Sequence, residues 1–307
     1  MRDYQELQGV YVAALTPLND DYSIALDEVA PFLAFHARRG AHGALLMGTT
    51  GEGPSFSPDE RLALLQRALE VREVYPEFHL LLGTGTPSLD ETISLTRKAF
   101  DAGADGVVIL PPYYYRKVSD DGLFAWFSQV IRRAVPEDGA VLGYHIPVIT
   151  GVALSLDLLA RLKDAFPRQF VGIKDSSADA EHARQLGERF GKQLMVFSGT
   201  DTLFSLALEH SASGCITALA NLRAPDLRCV WDAHQQGMRD EAAQERLNAA
   251  RAVMNRYPPN PPLYKALLAR LYGFRHWAVR PPLMPMADSL LEQVLKEAQT
   301  EVVNFRD

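Results

Sequence analysis

The chain has 307 residues, of which 47% are hydrophobic and 22% charged, and this composition allows a sizeable core and excludes a disordered chain. The net charge of -7, without any run of lysines or arginines, argues against nucleic acid as a partner. The two cysteines match no zinc or redox spacing, no apolar run reaches the roughly 18 residues of a membrane span, and the first residues form no signal peptide, so we expect a cytoplasmic protein.

Short apolar runs alternate with longer segments of helical period up to about residue 222. The runs predict eight strands, over residues 9–15, 43–47, 79–83, 106–110, 140–144, 170–174, 194–198 and 214–217. Their near-continuous apolarity is typical of strands that are buried on both faces, as in parallel sheets. Between them, Ser57-Pro58-Asp59-Glu60 and Ser88-Leu89-Asp90-Glu91 carry the Ser-x-x-Glu pattern of helix starts.

Eight strand–helix units predict an α/β fold, either a closed TIM (β/α)8 barrel or an open doubly wound sheet. The barrel is favoured because no strand has the polar pattern of a sheet edge and no G-x-G-x-x-G motif is present. After residue 222 the pattern changes to helices over 225–235, 239–256, 263–271 and 289–302. We therefore predict a barrel over residues 1–222 and a C-terminal helical extension over residues 223–307.

In a parallel barrel the active site lies at the carboxyl ends of the strands, so the residues after each strand are the candidates. Thr49 and Thr50 follow strand 2 between glycines and can offer hydroxyl and N–H groups to a carboxylate. A glycine-rich turn with incidental threonines is the alternative. Tyr144 ends strand 5 and can relay protons. His145 points to the opposite face of that strand, where a histidine is usually structural.

Lys174 closes the apolar strand Phe170-Val171-Gly172-Ile173-Lys174. Burial disfavours an ammonium ion, and the neutral amine is the form that attacks a carbonyl to make a Schiff base. The alternative is a lysine that forms an ion pair with its neighbour Asp175, and these residues leave both interpretations open. No group of His, Cys, Asp and Glu has the spacing of metal ligands, which favours a mechanism without a metal.

Six short motifs resemble, in the same order, those of the dihydrodipicolinate synthase and N-acetylneuraminate lyase superfamily of class I, Schiff-base barrels. They are G-T-T-G-E at 48–52, P-Y-Y at 112–114, Y-x-x-P with T-G at 144–151, G-I-K-D at 172–175, S-G-T-D at 198–201 and R-P-P at 280–282. The resemblance covers nearly the whole chain. It implies a lyase that acts on a 2-oxo acid, with no cofactor beyond the covalent Schiff base on lysine. It also implies a homotetramer built as a dimer of dimers.

The same resemblance implies roles for the catalytic residues. Lys174 is similar to the Schiff-base lysine and Tyr144 to the proton-shuttling tyrosine. Thr50 is similar to the hydroxyl that links Tyr144 to a second tyrosine. That tyrosine would be Tyr114, which in the family reaches across from the neighbouring subunit. Thr49 and Thr50 would hold the carboxylate of the 2-oxo acid.

Further positions bear on the substrate. Gly199 and Ile216 match positions that line the pyruvate pocket in the family. Ile149 stands where dihydrodipicolinate synthases usually carry an arginine for the carboxylate of the aldehyde substrate. Ser176 stands where sugar-acid aldolases tend to have Thr or Ser. The motif details therefore look closest to 2-keto-3-deoxy-gluconate aldolases.

The predicted function is a Schiff-base lyase that breaks or forms the C3–C4 bond of a 2-keto-3-deoxy sugar acid. Cleavage would give pyruvate and an aldehyde, and the reverse reaction would join them. The alternatives are a dehydratase that uses the same Schiff base, and a 4-hydroxy-tetrahydrodipicolinate (dihydrodipicolinate) synthase. A non-catalytic protein that binds 2-oxo acids is the alternative of a different class.

Overall fold

A computed structural model describes residues 4–306 and shows eight strands that close into a barrel in the order β1 to β8. The strands are β1 (Gly9–Ala13), β2 (Gly43–Leu46), β3 (His79–Gly83), β4 (Gly106–Ile109), β5 (Ala140–His145), β6 (Phe170–Asp175), β7 (Met195–Ser198) and β8 (Gly214–Thr217). Every predicted strand is present within two residues of its predicted ends. The predicted TIM barrel is confirmed, because the strand pairings are parallel and sequential.

Helices follow the strands as the helix-start signals predict. They are α1 (Leu26–Arg38), α2 (Pro58–Ala68), α3 (Leu89–Asp101), α4 (Asp120–Ala134), α5 (Pro147–Thr150), α6 (Leu156–Ala165), α7 (Ala180–Phe190), α8 (Phe204–Glu209), α9 (Ala220–Gln235), α10 (Glu241–Met254), α11 (Asn260–Tyr272) and α12 (Asp288–Thr300). Ser57 forms a complete capping box with Glu60, and Ser88 accepts the N–H of Glu91. No helix among residues 4–306 is long and apolar enough to cross a membrane.

The chain forms two compact units. One comprises the residues up to Gly9 with His79–Ile216, and the other comprises Val10–Phe78 with the residues from Thr217 onward. The four predicted C-terminal helices are α9 to α12 of the second unit. Helix α9 is kinked at Arg223, where the backbone leaves helical geometry. The predicted boundary between residues 222 and 223 falls at this kink, and that division of the chain stays a prediction.

The register of the central strands decides which side chains share a face. Tyr144 of β5 lies opposite Lys174 of β6, which in turn lies opposite Phe197 of β7. Paired residues of neighbouring strands point to the same face of a sheet, and their successors point to the other. His145 and Asp175, the next pair along β5 and β6, therefore lie on the opposite face from Lys174.

The last turn of α1 carries a buried histidine to which no described residue offers a hydrogen bond. His36 is fully buried, its ring lies 4.5 Å from that of Phe32 and 5.1 Å from that of Phe35, and neither ring nitrogen has a partner among the described residues. Burial, with a smaller effect of Arg39, lowers the pKa of His36 to about 3. The folded protein thus keeps this side chain neutral over a pH range in which the unfolded chain takes up a proton.

We predict that His36→Leu makes the protein less sensitive to acid. A histidine whose pKa is lower in the folded state favours unfolding as the pH falls through the unfolded value near 6.5 toward about 3. Between pH 7 and pH 4 the free energy of unfolding of the wild type should fall by up to about 3 kcal/mol more than that of the variant, since each pKa unit is worth about 1.4 kcal/mol. Urea unfolding at several pH values measures this. Equal losses in the two proteins between pH 7 and pH 4 would contradict it.

Candidate active site

Lys174 lies at the end of β6 with its amine against a tyrosine hydroxyl. Its Nζ donates to Tyr144 Oη at 3.1 Å and lies 4.2 Å from the centroid of the Tyr144 ring. Both side chains are buried, with 3% of Lys174 and 4% of Tyr144 exposed. The two residues to which the strongest catalytic roles were assigned are therefore in direct contact. A hydroxyl at this distance can exchange a proton with groups bonded to the lysine nitrogen.

No carboxylate among the described residues pairs with this buried amine. Among residues 4–306, Lys174 forms no ion pair, and its neighbour Asp175 points to the other face of β6. The Asp175 carboxylate instead accepts the N–H and the hydroxyl of Ser177, both at 3.1 Å. The ion pair between Lys174 and Asp175, left open by the sequence, is thereby contradicted. A lysine that has no counter-ion and a polar partner with an exchangeable proton is arranged for attack on a carbonyl.

Ser176 and Gly199 are brought together beside Lys174. The N–H of Gly199 donates to the main-chain oxygen of Asp175 at 2.6 Å, which ties the end of β7 to the end of β6. A Cβ atom placed on Gly199 would lie 1.9 Å from Ser176 Oγ. Only a glycine leaves room for that hydroxyl, so the two predicted pocket residues form one small-residue surface after the strands.

Ile216 lies on β8, fully buried. Phe197 pairs with Gly214, and Ile216 follows Gly214 by two residues, so Ile216 points to the same face as Phe197 and Lys174. The register thus places Ile216 on the face where the lysine lies, as its predicted role in the pocket requires.

Two other predicted residues lie on the surface of the first unit. Tyr114 is 76% exposed, and its ring packs edge-on against Tyr115 at 5.2 Å. Ile149, on the one-turn helix α5, is 56% exposed. No hydrogen bond joins Tyr114 to any other described residue, Lys174 included. This agrees with the expectation that Tyr114 acts in a neighbouring subunit, which stays a prediction.

Thr49 and Thr50 belong to the second unit and follow β2. Thr50 is buried and Thr49 half-buried, within a loop closed by the hydrogen bond from Gly53 N–H to the Gly48 oxygen at 3.0 Å. A Cβ on Gly53 would lie 2.0 Å from the Met47 oxygen, so the loop folds tightly only with glycine at that position. The turn that carries the Thr49 and Thr50 hydroxyls is therefore compact and well packed.

Arg116 is a cation near the site that the sequence analysis missed. A Cβ on Gly151 would lie 2.7 Å from Arg116 Cδ, so the stem of the arginine runs over the end of α5. Arg116 is exposed and has no hydrogen bond or ion pair with any of residues 4–306. Its five N–H donors are thus available to carboxylate or hydroxyl oxygens of a ligand. The contact with Gly151 is long-range, and the sequence carries no local sign of it.

His145, Asp175 and His182 meet behind the lysine, on the outer face of the strands. Their potential ligand atoms lie within 4.8 Å of one another, although the sequence spacing predicted no such group. The N–H of Leu154 donates to His145 Nδ1 at 3.0 Å, so the neutral ring carries its proton on Nε2. That nitrogen cannot bind a metal without losing its proton, and the trio therefore fits a metal poorly.

The bond from Leu154 bears out the structural interpretation of His145. Burial, and then the charge of His182, lowers the pKa of His145 to about 4. The neutral ring stacks on that of His182, with a centroid distance of 4.8 Å.

Comparison with known proteins decides the family. The model of the dihydrodipicolinate synthetase family matches residues 6–301, almost the whole chain. The chain belongs to the dihydrodipicolinate synthetase family. Membership confirms the resemblance that the six motifs carry. The chain is therefore a class I Schiff-base lyase.

Several relatives match over most of their own length. An uncharacterized DapA-like lyase of Chloroflexus aurantiacus is 39% identical over 285 residues, which cover 92% of this chain and 93% of the relative. A 4-hydroxy-tetrahydrodipicolinate synthase of Synechococcus is 32% identical over 292 residues, covering 92% and 91%. The solved dihydrodipicolinate synthase of Acinetobacter baumannii, complexed with pyruvate, is 26% identical with a TM-score of 0.85, covering 97% of this chain and 99% of that one.

Proposed function

We propose that this family member is a Schiff-base aldolase that reversibly cleaves the C3–C4 bond of a 2-keto-3-deoxy sugar acid, giving pyruvate and an aldehyde. One observation carries the proposal. The Lys174 amine is buried, lies 3.1 Å from the Tyr144 hydroxyl and has no carboxylate partner among the described residues. A buried amine without a counter-ion serves no evident structural purpose, whereas carbonyl chemistry needs such an amine.

The reaction begins when Lys174 Nζ attacks the C2 carbonyl and water leaves, which forms the iminium ion. Tyr144 then takes the proton of the C4 hydroxyl, and its own proton leaves along the relay that Thr50 and Tyr114 would complete. The C3–C4 bond breaks, its electrons move to the iminium nitrogen, and the aldehyde departs. The resulting enamine gains a proton at C3, and water releases pyruvate and the free lysine.

The substrate carboxylate would be held by Thr49 and Thr50. Carboxyl ends of parallel strands share one end of a barrel, and both threonines follow the end of β2. Hydroxyl and N–H groups are suited to a carboxylate because they donate without adding a charge. Ser176, Gly199 and Ile216 would line the remainder of the pocket.

Pyruvate as the common partner is supported by a relative, since the Acinetobacter baumannii enzyme was solved with pyruvate. The name of the Chloroflexus relative specifies no substrate, and more distant relatives are named as synthases. Ile149 supports a sugar acid over the synthase substrate, because an isoleucine cannot bind a distal carboxylate as an arginine does. A dehydratase remains the nearest alternative, since the same iminium ion also allows loss of a hydroxyl group. Membership of an enzyme family argues against the non-catalytic binding protein.

We also propose that the enzyme works in the cytoplasm as a dimer of dimers without a metal. Tyr114 supports the assembly, because a catalytic tyrosine that is 76% exposed needs a second chain to bury it.

We predict that borohydride reduction in the presence of pyruvate attaches a stable adduct to Lys174. Peptide mass analysis should locate it there in the wild type and in a Lys163→Arg control, and nowhere in Lys174→Ala. Tyr144→Phe should still give the adduct while its turnover falls by roughly 10²–10⁴-fold, the range for loss of a general acid–base group. Wild-type protein that gives no adduct, or an adduct on another lysine, would overturn the mechanism.

We predict that the wild type releases pyruvate from at least one 2-keto-3-deoxy sugar acid. The kcat/KM for this release should be about 10- to 150-fold above that for condensing pyruvate with aspartate semialdehyde, since a missing charge-assisted contact removes roughly 1.5–3 kcal/mol. Ile149→Arg should reduce the ratio of the two kcat/KM values, because the arginine offers a partner to the carboxylate of aspartate semialdehyde. Val148→Arg, at the neighbouring position, is the control and should leave the ratio unchanged. Efficient condensation by the wild type would make it a synthase and reverse the interpretation of Ile149.

A further inference from the structure

The backbone of Glu52 has a conformation that is unfavourable for residues other than glycine. It lies between Gly51 and Gly53 in the loop after β2, with a φ of 59° in the left-handed region. In that region the Cβ of an L-residue crowds its own carbonyl, and glycine would be relaxed there. A glutamate at this position therefore points to a task for its side chain that offsets the strain of its backbone.

The Glu52 carboxylate forms a fully buried ion pair. Its Oε1 lies 2.5 Å from Lys265 Nζ on α11, with side-chain exposures of 0% for Glu52 and 2% for Lys265. Its Oε2 accepts the main-chain N–H of Arg280 at 2.9 Å, and Lys265 also donates to the Ala278 oxygen at 2.7 Å. Removing two charges from water costs most of what their attraction returns, so such a pair adds little net stability. Its value lies in the geometry that it specifies.

That geometry is transmitted to the threonines by short backbone links. The N–H of Glu52 donates to the Thr49 oxygen at 3.2 Å, and the Thr16 hydroxyl donates to the Gly51 oxygen at 2.6 Å. A Cβ on Gly51 would lie 2.8 Å from the Ala14 oxygen, so the backbone at Gly51 lies directly against that of Ala14. Fixing the position of the Glu52 carboxylate therefore also fixes the positions of Thr49 and Thr50, whose side chains bear the hydroxyls.

Arg280 holds the other side of the same loop. Its guanidinium donates to the Ser55 oxygen at 2.7 Å and to Glu60 at 2.5 Å, while its main-chain N–H holds Glu52. The R-P-P motif and α11, both in the C-terminal helical region, thus contact this loop through side chains that no catalytic step uses.

We propose that Lys265 and Arg280 are positioning residues that act through Glu52 to hold Thr49 and Thr50 in place for the substrate carboxylate. The inference rests on the proposed function of those threonines. The clamp formed by Glu52, Lys265 and Arg280 affects how tightly the 2-oxo acid binds and leaves the lysine chemistry alone. Loss of the clamp should accordingly weaken pyruvate binding and change the maximal rate of Schiff-base formation little, because carboxylate binding contributes equally to the bound substrate and to the transition state of that step. Schiff-base formation precedes the C3–C4 cleavage in which Thr50 would relay a proton.

The test compares the wild type with Glu52→Gln/Lys265→Met, which removes both buried charges and keeps an acceptor for the Arg280 N–H. The matched control is Arg223→Met/Asp226→Asn, which removes a second buried ion pair, in α9, with no hydrogen bond to residues 48–53. Hydrogen exchange is followed at the amides of residues 48–53. The pyruvate concentration that half-saturates borohydride trapping is measured in parallel. Arg280→Gln, which leaves the buried pair intact and removes the guanidinium contacts with the Ser55 oxygen and Glu60, replaces the double variant if that fails to fold.

In Glu52→Gln/Lys265→Met we expect the hydrogen-exchange rate of the loop amides and the half-saturating pyruvate concentration each to rise about tenfold. The maximal trapping rate should stay within about threefold of the wild-type rate. The control should leave both unchanged. An unaltered half-saturating concentration, or equal changes in the control, would overturn the inference. Failure of the wild type to trap pyruvate would overturn the proposed function instead, and the exchange data would still report whether the clamp holds the loop.

Discussion

Alternation along β6 separates Lys174 from Asp175, and the proposed chemistry depends on that separation. The two residues are adjacent in sequence, but the strand sends the amine to one face and the carboxylate to the other. On its own face the amine meets the Tyr144 hydroxyl, and on the opposite face the carboxylate meets Ser177. If both pointed the same way, an ion pair with Asp175 would occupy the amine that the proposed attack on a carbonyl needs.

The fold was predictable from the sequence because its signals are local. Apolar runs marked the eight strands, and the Ser-x-x-Glu patterns marked the starts of α2 and α3. The one-turn helix α5 was not predicted, because four residues carry too little periodicity. The resemblance had already assigned Lys174 and Tyr144 to one site. The contact of Arg116 with Gly151 could not be predicted, since it depends on which distant residues the fold brings together.

In the proposed function, the residues of the covalent step are separate from those that would select the substrate. Lys174 and Tyr144 are buried and in contact, and the loop that carries Thr49 and Thr50 is tied down through the buried pair of Glu52 with Lys265. Ile149, in α5, and Arg116, in the loop between β4 and α4, are both exposed, and substitution at exposed positions of this kind costs little stability.

A crystal structure of the protein soaked with pyruvate tests the central claim most directly. The account predicts continuous electron density from Lys174 Nζ to C2 of pyruvate, with the carboxylate against Thr49 and Thr50 and the Tyr144 hydroxyl within hydrogen-bond distance of the new bond. Pyruvate bound without a covalent link, or attached to a different lysine, would contradict it.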